Sequence, residues 1–200
     1  MDESRERKAG DLTGQFLISG TELVDPNFFR TVVLLIQHAA DGAMGLVVNR
    51  PADVELGSII EISDGPVAEI PVFVGGPVEQ QYLFVLHSGL TDPYPREQSI
   101  NPAPGIFFEP ATDPLIEYLS TNWLALPETD RPEVRFFAGY SGWAPGQLED
   151  ELEAGSWFTH DAAAEIVFHQ NSEQGWRDAL RKKGEFYRIV ADTGYTPSMN

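Results

Sequence analysis

No cysteine occurs anywhere in the 200 residues. That absence excludes disulfides, thiolate nucleophiles and every zinc site that ligates through sulfur, and it fits a reducing compartment. Bases are scarce as well: 13 Lys and Arg stand against 31 Asp and Glu, a formal charge of −18. A surface that negative is repelled by phosphate backbones and by anionic lipid, so direct attachment to nucleic acid or to a membrane is disfavoured. Long apolar runs are missing too. The longest aliphatic stretch, Val32-Val33-Leu34-Leu35-Ile36, falls far short of the ~20 residues that cross a bilayer. The opening Met1-Asp2-Glu3-Ser4-Arg5-Glu6-Arg7-Lys8 is charged in both signs and lacks the apolar stretch of a secretory signal. A cytoplasmic location is expected. What is present suffices for one core: 42% of the residues are hydrophobic, with 12 Phe, 4 Trp and 6 Tyr, and the length is too short for two ordinary cores.

Residues 1–14 carry mixed charge and no apolar period and read as a loose tail; 15–192 read as a single domain, and 193–200 as a C-terminal tail. Residues 15–19 suit a strand, and Asp25-Pro26 favours a turn. Residues 31–38 read as a strand buried on both faces, because their aliphatics are contiguous rather than alternating. Turn chemistry at Ala39-Ala40-Asp41-Gly42 precedes a second β-rich run over 43–49, which predicts an antiparallel hairpin at the centre of the fold. Leu56, Ile59 and Ile60 predict a short helix. Further strands are predicted over 71–74, 82–87, 106–108 and 133–139, with a closing strand over 186–190. Helices are predicted after Asp113 as N-cap, over 145–154, and over 172–183, the last with an Asn171/Gln174 capping box, Trp176 and Leu180 facing the core, and Gly184 as its stop. Strands adjoin strands early and helices cluster late, so the fold class is α+β with a mixed, mainly antiparallel sheet.

Several constellations bear on chemistry. Gly139-Tyr140-Ser141-Gly142-Trp143 invites comparison with the Gly-x-Ser-x-Gly nucleophile elbow, but its fifth position is Trp143 and the spacing places neither His160 nor His169 beside Ser141. It reads instead as a tight turn between a strand and a helix, with Trp143 packed inward; a hydrolase using Ser141 stands as an alternative. Gly75-Gly76-Pro77-Val78 reads as a close backbone crossing in preference to an anion loop, since Pro77 removes a donor and Glu79 adds repulsion. No phosphate-binding or dinucleotide motif is present, so no cofactor is expected. His38, His87, His160 and His169 show no metal-ligand spacing. Asp161, Glu165 and His169 would share one face of a helix and could hold a hard metal there, although the segment suits a strand equally. His38, ending a buried strand, reads as a hydrogen-bonded structural residue. Between residues 51 and 130 there are 13 acids and a single base, Arg96. Such an imbalance attracts cations or basic proteins, or else serves only to keep the protein in solution.

Taken in order, the segment from Gly14 to Ile18 with Asp25-Pro26-Asn27-Phe28, the run 31–38, Gly42-Ala43-Met44-Gly45-Leu46-Val47-Val48-Asn49-Arg50-Pro51, Gly75-Gly76-Pro77-Val78, Leu86-His87, and Gly139 to Trp143 through Gly146-Gln147-Leu148-Glu149 resemble the AlgH/YqgE family of bacterial proteins. The resemblance implies a bifurcated sheet curled toward a pseudo-barrel with flanking helices. It also implies a family described as uncharacterised or as transcriptional regulators, with no agreed activity or cofactor, and commonly with alanine where this chain has Ser141. A non-catalytic binding or regulatory role is expected, through a protein partner, most simply a basic one, or a small ligand. A regulator that binds DNA directly is the other alternative, but helix-turn-helix spacing and a basic face are both missing. His38, Asn49, Arg50, Tyr140, Trp143 and Gln147 are the candidate ligand-lining residues, because they are polar or amphipathic groups inside otherwise apolar motifs.

Overall fold

The computed structural model describes residues 10–94, 99–169, 171 and 174–194. The aliphatic run predicted as doubly buried forms β2 (Val32–Ala39), which pairs antiparallel with β1 (Gln15–Ser19) on one side and β3 (Gly42–Val47) on the other. Its contiguous side chains need two covered faces. Val32, Leu34 and Ile36 enter one core with Phe16, Leu46, Phe137 and Trp176, while Val33 and Leu35 enter a second with Leu17, Val47, Trp143 and Trp157. A third cluster is built on Leu56, Val72, Val85, Leu115 and Phe136, so the one core expected from the length is divided into three clusters.

The remaining strands are β4 (Pro51–Glu55), β5 (Pro71–Val74), β6 (Val78–His87), β7 (Ile100–Ala103), β8 (Ile106–Pro110), β9 (Val134–Trp143) and β10 (Trp157–Asp161). Their order is β10-β1-β2-β3-β9-β6-β8-β7, with β5 running parallel to β9 and β4 outside β5. The result is an α+β fold whose mainly antiparallel sheet curls into a half-barrel. The sheet forks on β9. One of its edges serves two strands, Ser141 to Trp143 pairing with β3 and Phe136 to Ala138 with β5, while the other edge belongs to β6. Gly139 sits at the fork with φ 69°, in the left-handed region that glycine tolerates best. Gly76 crosses β9 so closely that an added Cβ would lie 2.2 Å from the Tyr140 carbonyl. The close crossing expected at Gly75-Gly76-Pro77 is therefore real. The tight turn expected at Gly139 to Trp143 is not: those residues are the extended second half of β9, because β3 supplies a pairing partner there.

Five α-helices are present among the described residues: α1 (Asp113–Tyr118), α2 (Gln147–Glu153), α3 (Ala164–Val167), α4 (Gly175–Lys183) and α5 (Glu185–Thr193). Thr112, not Asp113, holds the N-cap position of α1, and the helix expected at Leu56 is a single 3₁₀ turn, Leu56–Ser58. α4 buries Trp176 and Leu180 and stops at Gly184 as expected, but Gln174 makes no side-chain capping bond, so the capping box does not form; Ser172 and Glu173 lie outside the described residues. The closing strand expected over 186–190 is helix α5 instead. Phe186, Tyr187, Val190 and Ala191 recur at helical spacing and pack on the first core, whereas strand alternation would have put Arg188 on the same face as Phe186 and Val190.

Order begins ahead of Gln15. The amide of Leu12 bonds to His38, that of Gly14 bonds to the Leu35 carbonyl, and Gly14 itself is buried; these two residues therefore do not share the looseness expected of 1–14, and residues 1–9 lie outside the described ones. At the other end α5 runs to Thr193, and residues 195–200 lie outside. No helix among the described residues is long and apolar enough to cross a membrane.

Candidate functional site

His38, Ala43 and Trp143 are cross-strand neighbours on β2, β3 and β9, and α2 lies over the Trp143 side. His38 Nδ1 accepts the Leu12 N–H at 3.2 Å, which leaves Nε2 to donate to Glu149 at 2.9 Å. A backbone N–H bond at the helix start, and after it the bond from His38, hold the Glu149 carboxyl below its ordinary range. Beside it, the Glu151 carboxylate accepts three N–H donors: the Trp143 indole at 2.9 Å, the Trp157 indole at 2.7 Å and the Gln147 amide at 2.9 Å. Gln147 in turn accepts the Ala144 N–H at 3.0 Å. Phe28 packs on both indoles. The polar tips of His38, Trp143 and Gln147 are thus spent on α2 and its neighbours.

Asn49 and Arg50 lie elsewhere and do a different job. Asn49 accepts the Val32 N–H at 2.8 Å and donates to the Arg30 carbonyl at 2.9 Å, while Arg50 donates to the carbonyl of Asn27 at 2.7 Å. Burial lowers the Arg50 pKa, against the opposing pull of Asp25. Both side chains stitch the loop 25–31 to the sheet. Tyr140 packs edge-on against Phe84 in the first core. The six candidates therefore fall into three groups, and none of them lines either of the two clefts described below.

Ser141 is 0% exposed, and its hydroxyl donates to the Gly75 carbonyl at 3.2 Å. It lies near the end of β9 and bonds to no histidine among the described residues, so the nucleophile reading is corrected: the serine fastens the fork. Ser141→Ala should lower unfolding stability by no more than about 1 kcal/mol, measured by urea denaturation, because the Gly75 carbonyl keeps the Val47 N–H at 2.8 Å. The metal reading also fails. Asp161 ends β10, Glu165 on α3 pairs with Lys182, and His169 faces Asp178 at 3.5 Å. Strand and helix send these residues apart, and the described residues hold no cluster of three or more His, Asp or Glu able to bind a metal.

Two buried charged groups escaped the sequence reading. His87 and Glu109, each 2% exposed, bond at 2.8 Å across β6 and β8. The Glu109 carboxylate also accepts the Tyr94 hydroxyl and, at 3.1 Å, the Ser99 hydroxyl, while His87 Nδ1 accepts the Gly89 N–H at 3.2 Å. Burial alone would raise the Glu109 pKa, but the bonds from His87, Tyr94 and Ser99 outweigh it and bring the carboxyl below its ordinary range. Burial, then the bond to Glu109, pushes the Tyr94 phenol up. Arg135 lies over the Phe73 ring at 4.2 Å and donates to the carbonyls of Val48 and His169, and burial brings its pKa down to about 10. The signal for both was legible in kind: a charged residue inside an apolar β run, as in Ile106-Phe107-Phe108-Glu109 and Val134-Arg135-Phe136-Phe137.

Two surface features remain. A cleft of about 500 Å³ follows β4 and is lined by Ala52, Asp53, Val54, Glu55, Ser58 and Pro71. Val54 is 43% exposed there and Ile59, just beyond, 44%. A second hollow, of about 270 Å³, lies between Arg30, Gln174, Trp176 and Arg177.

Comparison with known proteins gives consistent results. A family model described as AlgH-like matches residues 16–188. A UPF0301 protein of Chlorobium limicola is 37% identical over 191 residues, covering 94% of this chain and 95% of that one. A UPF0301 protein of Ruegeria pomeroyi is 38% identical over 179 residues, covering 87% and 92%. Among solved structures, the AlgH protein from Pseudomonas aeruginosa superposes with a TM-score of 0.72 at 28% identity, covering 97% of this chain and 99% of that one. A Corynebacterium diphtheriae crystal structure, at a TM-score of 0.69 and 24% identity over 90% of this chain and 91% of that one, shares the fold.

Proposed function

The chain belongs to the AlgH-like family, and from that premise we propose that it is a non-catalytic binding protein that takes an extended basic segment of a protein partner along the open edge of β4. The observation that carries this reading is that, among the described residues, β4 pairs only with β5, and that Asp53, Val54 and Glu55 line an open cleft. A strand at a sheet edge leaves one row of backbone groups open to another strand, and alternating side chains then set specificity. The pairing of β4 with β5 is irregular between Pro51 and Glu55, and Asp53, Val54 and Glu55 are all exposed there. An added strand would set Lys or Arg beside the acids and an apolar residue beside Val54. Pro51 and the two acids also discourage pairing with a second copy of this acidic chain, so the edge is selective as well as protected.

The same charge favours a protein over nucleic acid. Of the bases near the C-terminus, Arg181 is paired with Asp178 and Asp192, and Lys182 with Glu165, which leaves little to offset −18. Regulation of transcription, where it occurs, runs through a basic partner in the cytoplasm. The test is a titration at low salt with an extended peptide of alternating Lys and Val, about eight residues long, an ordinary strand length. Saturable binding is expected, with affinity falling about fivefold in the Asp53→Asn/Glu55→Gln double variant, from about 0.5 kcal/mol per exposed pair. Equal affinity in the double variant, or equal affinity at high salt, overturns the reading.

A further inference from the structure

Away from the acidic edge the molecule gathers the opposite charge in one place. We infer that the hollow between Arg30, Gln174, Trp176 and Arg177 binds a small soluble phosphate-type oxyanion, clasped between the two guanidinium groups and oriented by the Gln174 amide. The inference stands on different residues from the β4 reading and is independent of it.

Arg30 is held in an unusual way. Its backbone lies at φ 54°, a left-handed conformation that a non-glycine residue adopts at a cost of about 1 kcal/mol and keeps only when its surroundings hold it. Asn49 does the holding, through the bond from its amide to the Arg30 carbonyl. The side chain then lies over two rings, with its guanidinium carbon 5.1 Å from the Phe29 centroid and 5.5 Å from that of Trp176. Stacking fixes an arginine without consuming its N–H fork, which is the group that matches a phosphate or carboxylate in two-point fashion. The floor is rigid: Trp176 is buried and gives its indole N–H to the Ser19 carbonyl at 2.9 Å.

Neither Arg30 nor Arg177 pairs with a carboxylate among the described residues, and neither guanidinium donates to a protein acceptor there. Two neighbouring acids, Asp178 and Asp192, are already engaged. Asp192 feels the charge of Arg177 but bonds Arg181 at 2.8 Å, and Asp178 bonds the same Arg181 at 3.1 Å. Two arginines with no carboxylate bonded to them among the described residues repel each other across one hollow, and an oxyanion between them turns that repulsion into two attractions. The start of α4 faces the same space and adds its partial positive charge. At about 270 Å³ the hollow lies at the small end of ligand sites, with room for a phosphoryl group and a short body. The overall −18 keeps anionic bilayers away, which selects a soluble phosphate over a lipid headgroup.

The experiment is an NMR titration of the full chain with inorganic phosphate at low ionic strength, read at the arginine Nε–H and glutamine amide signals. Saturable shifts are expected at Arg30, Arg177 and Gln174. Arg30→Gln and Arg177→Gln should each weaken binding about tenfold, the Arg177 variant with no change in unfolding midpoint, Arg177→Lys should weaken it less, and Arg188→Gln should leave it unaltered. Vesicles containing phosphatidate should not bind. Shifts that persist in an Arg30→Gln/Arg177→Gln double variant, equal weakening by Arg188→Gln, or vesicle binding would each overturn the assignment.

Discussion

Glu109→Ala should destabilise the fold by about 2–4 kcal/mol, because the buried His87 Nε2–H and Tyr94 hydroxyl both lose their acceptor, at about 1–3 kcal/mol each. The substitution strands His87 at 2% exposure and removes the acceptor of the Tyr94 and Ser99 hydroxyls. Glu109→Gln keeps the shape and one acceptor oxygen and should cost less. The pair also makes stability depend on acid. Because the folded Glu109 carboxyl lies below its ordinary range, the unfolded chain binds the proton more readily. The stabilisation is therefore complete above the unfolded value of about 4.3 and is lost as pH falls through the lower folded value. Urea unfolding across a pH series should show the wild type losing stability in that window and Glu109→Gln losing less. A loss below about 1 kcal/mol for Glu109→Ala, or parallel acid limbs for wild type and Glu109→Gln, would contradict the assignment of the network as an internal anchor.

Gly76→Ala should be more damaging still. An added methyl would meet the Tyr140 carbonyl carbon and oxygen at 2.2 Å and the Ser141 nitrogen at 2.4 Å. All three are backbone atoms of β9, so no side chain can swing aside; the fork itself would have to open. A loss above about 4 kcal/mol, or failure to fold, is the expected outcome by denaturant unfolding and near-ultraviolet circular dichroism. Gly142→Ala is the internal comparison. It lies in the same motif, but its methyl would meet only the edge of the Tyr140 ring at 3.4 Å, so a change within about 1 kcal/mol is expected.

These two predictions show where the sequence was readable and where it was not. The central hairpin was legible because Val32 to Ile36 are contiguous aliphatics, a pattern that only a strand covered on both faces needs. The Gly75-Gly76 crossing was legible because nothing larger fits a close backbone contact. The fork was not, since it joins β3, β5 and β9, whose residues are far apart in the chain and whose shared edge has no local signature. The candidate ligand residues were selected as polar groups inside apolar motifs, and that criterion finds groups with a partner without saying what the partner is. Asn49 shows this: its amide bridges the Val32 N–H and the Arg30 carbonyl, both backbone groups. Helix α5 was missed because Phe186 to Val190 is too short for alternation to exclude a helical stripe, and the stripe became visible only with Ala191 included.

The central claim is that the open edge of β4 receives a basic strand, and amide hydrogen exchange at single-residue resolution tests it most directly. With the Lys/Val peptide at saturation, slowed exchange is predicted at Ala52, Asp53 and Val54, with little change along β7 and β10, the other strands at the ends of the sheet. Unaltered exchange along β4, with slowing at β7 or β10 instead, would contradict it.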